Sequence, residues 1–541
     1  MRAMSLQQPE PRLAVQPGER DSGIRLAELV AAFSLAIDLG LGQPMEHVLR
    51  AWLIADRLAR RLELDPPARD ELYYVVTLAW AGCIADTPMV SALVGDDIAY
   101  RADTFSTDLV GESAMSFMVE HLAAGAPARQ RQRQVEEFIT TGGIGVELAI
   151  RSHCLVTGNM ADQIGLGSEV REPLQQVFTR WDGQGVPRGL GGQEIALTTR
   201  LFHLADTVEV WQRKGGNEAA VRVARERRGT HFDPKLVDAF TADAAMVLGD
   251  PSGEADWHEF IATEPSLQRC LTERELDRAL EAIADFTDLR SRPRAGHSRR
   301  VAELAAGAAR HAGLPAADVI AVRRAALLHD VGLHGLSATI LDKPGPLTPA
   351  EWERVRVHTY YAERMLARPP ILARLGAIAS LAHERSDGSG YHRRLAGPAI
   401  PVSGRLLATA CAFCAMTEPR PHRPALTAKH AVAELRADVR KGALDADAVD
   451  AVLAAAGHRQ GKRRSGPAGL TPREVEVLTL IARGASNRQV ATALRIAPKT
   501  AGTFIERIYM KTGASTRSTA TLFAMQHGLL ETLDPLDPLD L

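Results

Sequence analysis

The sequence predicts an all-α chain: two helical domains in tandem, then a small C-terminal helix-turn-helix bundle. Three observations carry this. Aromatic residues are only 5% of the 541 residues, and Ala and Leu dominate, a composition that favours helices over sheets. Apolar residues recur at helical spacing, punctuated by Gly and Pro. The chain also repeats itself, with spaced motifs of one stretch returning in the next.

At roughly 150 residues per domain, the length suits three or four domains. A content of 45% hydrophobic and 24% charged residues excludes a mainly disordered chain, a collagen-like one and a disulfide scaffold. The net charge of −2 excludes a chain that binds polyanions over its whole surface, so any nucleic-acid site is local. Five cysteines, an odd number, point to a reducing compartment. Met1 to Ser22 is rich in Gln, Pro, Arg and Glu, without the apolar stretch of a signal peptide. No run of about 18 apolar residues occurs. The expectation is a cytoplasmic protein that makes no membrane contact.

The repeat defines the elements in order. His47-Val-Leu-Arg-Ala returns as His297-Ser-Arg-Arg-Val-Ala, and Ala79-Trp80-Ala81-Gly82 as His329-Asp330-Val331-Gly332, both 250 residues later. Beyond this the displacement is 205 residues: His153 pairs with His358, Trp181-Asp182-Gly183-Gln184-Gly185-Val186 with Ser386-Asp387-Gly388-Ser389-Gly390-Tyr391, Arg200 with Arg405, and Asp206 with Cys411. The first copy therefore holds 45 extra residues between Cys83 and His153, expected to form an elaborated helix and loop. Helices are predicted over Leu26 to Leu39, His47 to Leu62 and Arg69 to Ala81. In the second copy they span His297 to Ala312, Ala316 to His329, Pro349 to Leu366 and Leu372 to His383. Gly388 to Pro401 reads as a Gly/Pro-rich loop.

The predicted organisation is a disordered N-terminus (1–23), the first copy (24–250), a linker (251–271), the second copy (272–458), a polar basic linker (459–467), the helix-turn-helix bundle (468–530) and an acidic tail (531–541).

The second copy carries the chemistry. His297, His329, Asp330, His358 and His383 combine imidazole and carboxylate, donors that suit Zn, Mn or Fe. Adjacent His329 and Asp330 at a helix end can reach one ion, and the two oxygens of Asp330 can bridge two. A dinuclear site polarises a phosphoryl oxygen and generates hydroxide near neutral pH, chemistry suited to phosphodiester hydrolysis. A lone helical His is more often structural than ligating; the adjacent pair with further His at set spacings shifts the balance.

With His329-Asp330-Val331-Gly332 followed by Asp387-Gly388-Ser389-Gly390-Tyr391, the second copy resembles the HD-GYP family of metal-dependent phosphodiesterases, over roughly residues 297–453 and more weakly over 26–240. The resemblance implies an all-helical fold and cyclic di-GMP hydrolysis, with His329 and Asp330 catalytic. It also implies metal ligands at His297, His329, Asp330, His358 and His383, and a ligand loop at Asp387, Gly388, Gly390 and Tyr391. Four positions depart from the family pattern. Ala382 replaces the first His of a His-His pair, Cys411 a late Asp, Leu333 a Lys, and His392 the Pro of the Gly-Tyr-Pro loop. Loss of the Lys removes a cation that would stabilise phosphate charge. A Cys411 thiolate is a good Zn ligand, so His297, His329, Asp330 and Cys411 can form a four-coordinate site. For Cys411 and Cys414 the leading reading is a pair of inert buried thiols, ahead of metal participation, with redox chemistry last.

The first copy is more eroded. His47, His153 and Asp206 keep ligand positions, but Ala79-Trp80 replaces the His-Asp pair and Val177-Phe178 the His-His pair. Trp and Phe would fill the metal volume with apolar mass. A noncatalytic copy that packs against the second, or senses a ligand, is expected.

In the tail, Leu470-Thr471-Pro472-Arg473-Glu474 opens a helix. Arg488 to Leu494, Pro498 to Lys511 and Thr516 to His527 follow. Residues 466–530 hold eight Lys/Arg against three Asp/Glu, which suits a phosphate-contacting domain. The third helix would lie in the major groove, with Lys499, Thr500, Thr503, Arg507 and Lys511 toward double-stranded DNA. Leu-Thr-Pro-Arg-Glu, Ser-Asn-Arg-Gln-Val-Ala and Lys-Thr-Ala-Gly-Thr-Phe-Ile-Glu-Arg-Ile-Tyr resemble the LuxR-type helix-turn-helix family across about 60 residues, which implies binding as a homodimer. The combined expectation is a transcription regulator whose HD-like copies act as sensor or scaffold, with a divalent metal (Fe, Mn or Zn) and a nucleotide second messenger as candidate ligands. The alternative is an active phosphohydrolase fused to a DNA-binding domain.

Overall fold

The helix starts of the two copies keep the register of the repeat to the residue. Helices begin at His47 and His297, at Pro66 and Ala316, at Ile144 and Pro349, and at Leu197 and Val402. The computed structural model describes residues 21–141, 144–250, 265–458, 467–514, 516–527 and 529. Residues 1–20 of the predicted disordered N-terminus, the acidic tail and most of both linkers lie outside the described residues; residues 21–23, expected to be disordered, instead open the strand Asp21–Arg25.

Local chemistry explains the starts. Asp65 accepts a hydrogen bond from the Ala68 N–H, with Pro66 in the first turn. Thr272 with Glu275 and Thr348 with Glu351 form reciprocal capping boxes. The helix expected over Leu372 to His383 runs instead over Pro370–Ala379, and residues 380–383 form a turn that ends it before His383.

The 45-residue elaboration of the first copy departs most from expectation. It forms four helices, Thr87–Val94, Asp97–Thr104, Gly111–His121 and Ala128–Thr141, rather than one helix and a loop. Their short apolar stretches close a satellite cluster around Phe117, Met118 and Leu122.

Residues 1–456 form one compact unit. A single buried cluster runs from Ile24 through Trp52, Phe202, Leu280 and Leu328 to Leu453, so both copies share one core. The one sheet among the described residues pairs Asp21–Arg25 antiparallel with Cys270–Thr272, tying the entry of the first copy to that of the second. No single helix among the described residues is long and apolar enough to cross a membrane.

Residues 457–541 form the second unit. Its described helices are Pro472–Ala482, Asn487–Ala493, Pro498–Thr512 and Arg517–Gln526. Leu478, Ile481, Val490, Ile505 and Ile508 form its core. Capping boxes at Thr471/Glu474 and Ser486/Gln489 start the first two helices.

Candidate functional site

In the second copy, backbone geometry delivers the donors to one place. His297 is the first residue of helix His297–His311, preceded by Gly296 at φ 72°, a left-handed turn that glycine adopts without a Cβ clash. His329 and Asp330 close helix Ala316–Leu328. Gly332 then lets helix Pro349–Leu366 approach so closely that a Cβ there would collide with the His358 carbonyl oxygen. Cys411 comes from helix Val402–Thr417.

The predicted ligands form two adjoining groups. His297, His329 and Cys411 make one; Asp330, His358 and His383 make the other, with candidate donor atoms of each group within 4.8 Å of one another. Asp330 joins them. Its Oδ2 is 3.1 Å from His329 Nε2 and 3.8 Å from His297 Nε2, and its Oδ1 is 3.7 Å from His358 Nε2. Cys411 Sγ lies 3.8 Å from His329 Nε2.

The ring nitrogens are disposed as metal ligands are. His329 Nδ1–H donates to the Ala326 carbonyl (2.7 Å) and His358 Nδ1–H to that of Val355 (2.5 Å). His297 Nδ1–H donates to Glu418 (2.7 Å). In each ring this leaves Nε2 with its lone pair toward Asp330, the arrangement that outer partners impose on metal-bound His. His358 Nε2 is buried with no hydrogen-bond partner. Burial holds His297 and His358 down at about 4, and His329 and His383 well below the ordinary 6.5. All four are neutral near pH 7, as ligation requires. Burial pushes the Cys411 thiol up, so thiolate there needs a cation to stabilise it. The donor set fits one or two divalent ions.

The loop residues divide by role. Tyr391 stacks on His383 at 4.7 Å between ring centroids and meets His358 edge-on. Asp387, exposed, accepts from the Ser389 N–H and hydroxyl and so holds the loop itself. Gly388 sits at φ 79°, and a side chain on Gly390 would strike Glu384; both shape the loop.

Sequence reasoning missed two residues. Glu418 bonds His297 and also accepts from Arg300 (2.6 Å) and Arg420 (3.2 Å). It follows Cys411 by two helical turns, so a search along that face would have found it. Arg294 pairs with Asp330 Oδ2. No spacing rule marks it, because it reaches the site through a short 3-10 turn at Arg292–Arg294. Glu418→Ala, which leaves His297 Nδ1 and Arg420 without their shared carboxylate, is expected to destabilise the fold by about 1–3 kcal/mol, measured as a lowered urea midpoint.

The first copy is filled. Trp80 Nε1–H donates to Asp206 (2.9 Å), and the Trp80 ring meets Phe105, Phe178 and Phe202 edge-on within 5.7 Å. His153 turns Nε2 to the Ala79 carbonyl (2.8 Å). Cys83, Asp86 and His153 gather nearby, but Arg101 already pairs with Asp86 at 2.5 Å, so a cation occupies that cluster.

In the C-terminal unit, Lys499, Thr500, Thr503 and Arg507 are exposed on helix Pro498–Thr512. Lys511 differs from expectation. Its Nζ pairs with buried Glu474 (2.7 Å) and donates to the Gly469 carbonyl (3.0 Å), which ties it to the bundle rather than to a groove. Lys499→Ala or Arg507→Ala should each lower the salt-dependence slope of DNA binding by about 1, as read from affinities across a salt series; Lys511→Ala should lower the melting temperature instead.

The comparisons with known proteins agree with this geometry. The HD domain family model matches residues 147–236 and 281–448, one segment in each copy. The model for bacterial regulatory proteins of the luxR family matches residues 468–524. A 3'3'-cGAMP-specific phosphodiesterase of Vibrio cholerae is 31% identical over 418 residues, covering 75% of this chain and 90% of the relative. This chain belongs to the HD-domain family. It carries two HD copies and a C-terminal LuxR-type domain. A cyclic di-GMP phosphodiesterase of Thermotoga maritima is 38% identical over 164 residues, 30% of this HD-domain chain and 45% of the relative. The crystal structure of a cyclic GMP-AMP-specific phosphodiesterase of V. cholerae matches with a TM-score of 0.57 at 29% identity, covering 80% of this chain and 98% of that one.

Proposed function

We propose that this HD-domain protein is a DNA-binding transcription regulator whose second copy binds a divalent metal and a cyclic-dinucleotide phosphodiester, and that occupancy there changes operator binding by the LuxR-type domain. The observation that carries the reading is the pairing, in one chain, of a buried set of neutral donors with a helix-turn-helix that presents Lys499 and Arg507 to solvent. Divalent metal would be held within the set His297, His329, Asp330, His358, His383 and Cys411, in one or both of its two donor groups, and would supply phosphate-charge neutralisation and a lowered water pKa. His329 and Asp330 orient it, and Tyr391 covers the His383 side. The same reading makes the protein cytoplasmic, as a homodimer on double-stranded DNA.

Hydrolysis of the bound phosphodiester is the second reading, favoured by the 31% identity to a cyclic-dinucleotide phosphodiesterase over nine-tenths of that enzyme. Ala382 and Leu333 weigh against it, because both are apolar where the family pattern has a ligand and a phosphate-facing cation.

The test uses full-length protein and an operator selected from random duplexes. Affinity is measured metal-free, with Mn²⁺, and with Mn²⁺ plus cyclic GMP-AMP or cyclic di-GMP. A change of about fivefold or more is expected, and it should vanish in the His329→Ala, Asp330→Ala variant. Equal affinity in all states overturns the coupling. Linear dinucleotide that forms in the same mixtures, and not with the variant, establishes the second reading.

A further inference from the structure

The cation already inside the ligand set is Arg294. The 3-10 turn Arg292–Arg294 and the left-handed Gly296 bend the chain just before His297, and the Arg294 side chain, 17% exposed, returns over the site to pair with Asp330 Oδ2. The two oxygens of Asp330 face different donor groups. Oδ2 faces His297 and His329, the group that includes Cys411, while Oδ1 faces His358. The guanidinium is therefore in contact with only one of the two oxygens. It stays protonated in proteins, and a divalent ion on the same oxygen would meet a like charge at contact distance in a site with little water to screen it. On the other side, His358 Nε2 is buried and free to ligate.

We propose that Arg294 takes the place of a second divalent ion on the His297–His329–Cys411 side of Asp330, so that the chain carries one metal ion, held by Asp330, His358 and His383. The inference rests on the metal reading above and adds which of the two positions is filled. It makes Arg294 a built-in counter-cation to Asp330, and leaves Cys411 with no metal ion to ligate until an ion takes the place of that guanidinium.

Cobalt tests this with the full-length chain, because it reports both number and ligand type. Metal-free protein is equilibrated with Co²⁺, the ions are counted by elemental analysis, and the near-ultraviolet spectrum is scanned for thiolate-to-cobalt charge transfer. The wild type should hold about one ion without that band, and Arg294→Met about two with it, the second bound at least about tenfold more tightly than any second ion in the wild type. The band should disappear in Arg294→Met with Cys411→Ser. Arg294→Lys, which keeps the charge, should stay at one. If Arg294→Met loses its helical circular dichroism, Arg294→Gln replaces it. Equal stoichiometry in wild type and neutral variants, or a thiolate band in the wild type, overturns the proposal. One ion in both, lost in His358→Ala, sinks the Arg294 role alone; no ion in either sinks the metal reading and this inference together.

Discussion

Asp97→Ala is expected to destabilise the unit of residues 1–456 by about 3–5 kcal/mol, seen as a lowered urea midpoint of the full chain followed by circular dichroism. Asp97 is fully buried in the elaboration of the first copy. Its Oδ2 accepts from Arg101 (2.9 Å) and Arg290 (3.1 Å), and its Oδ1 accepts from the Ser337 hydroxyl (2.8 Å) and the Ala338 N–H (2.9 Å). Burial pushes this carboxyl up, but Arg290 and Arg101 outweigh it and hold it below its ordinary value. Arg290, Ser337 and Ala338 belong to the second copy, so one carboxylate clamps the copies together. With Ala at 97, Arg101 keeps Asp86 at 2.5 Å, whereas Arg290, 1% exposed, keeps only the Leu336 carbonyl at 2.6 Å. An almost dry guanidinium without a carboxylate is the costly product. The contrast is Glu147→Ala, which removes a half-open pair with Arg151 on the surface and should stay within about 0.5 kcal/mol. A small effect at Asp97 would mean that water enters between the copies when the clamp is cut.

The parts of this molecule legible in the sequence are those set by local chemistry. The start of helix Pro349–Leu366 is written in Thr348, Pro349 and Glu351, and the repeat register follows because both copies obey the same periodicity. That these donors meet was legible too: His329, Asp330, His358 and His383, read from the sequence as one cluster, do come together. The missing pieces are long-range. Arg294 reaches Asp330 across 36 residues and Glu418 reaches His297 across 121; only its place two turns after Cys411 marks Glu418, and nothing local distinguishes Arg294 from a surface charge. Lys511 shows the converse. Helical periodicity put it beside Arg507, but buried Glu474 on another helix claims it. The four helices of the elaboration were illegible because their apolar residues are few and close a cluster with one another, leaving no long periodic stripe to read.

His47→Ala is expected to cost about 3–5 kcal/mol near pH 6, and the size of the loss should depend on pH with a defined sign. His47, 1% exposed, bridges two carboxylates, with Nδ1 2.6 Å from Glu209 and Nε2 3.2 Å from Asp206, which also accepts from Trp80. Burial alone would press its pKa down; Glu209 and Asp206 reverse this and hold it well above the ordinary 6.5. Glu209 is held below its ordinary 4.5, since His47 and Arg213 outweigh its burial. Stability from a raised His is complete below 6.5 and fades as pH rises through the folded value. Stability from a depressed Glu is complete above 4.5 and fades as pH falls through its folded value. The difference between wild type and variant should therefore plateau from about pH 4.5 to 6.5 and shrink on both sides. Asp38 also faces His47; burial pushes its carboxyl up to about 7 although His47 pulls it down, so the two titrations are coupled and the difference is read with Asp38→Asn in both proteins. His47→Gln, which restores one N–H donor without charge, should recover only part of the loss. The outcome decides what became of the first copy. A plateau with both shoulders means that a buried imidazolium now supplies the positive charge a metal would have brought between these carboxylates. A flat difference from about pH 4 to 9 would mean a neutral ring, and the aromatic packing around Trp80 would then carry the site alone.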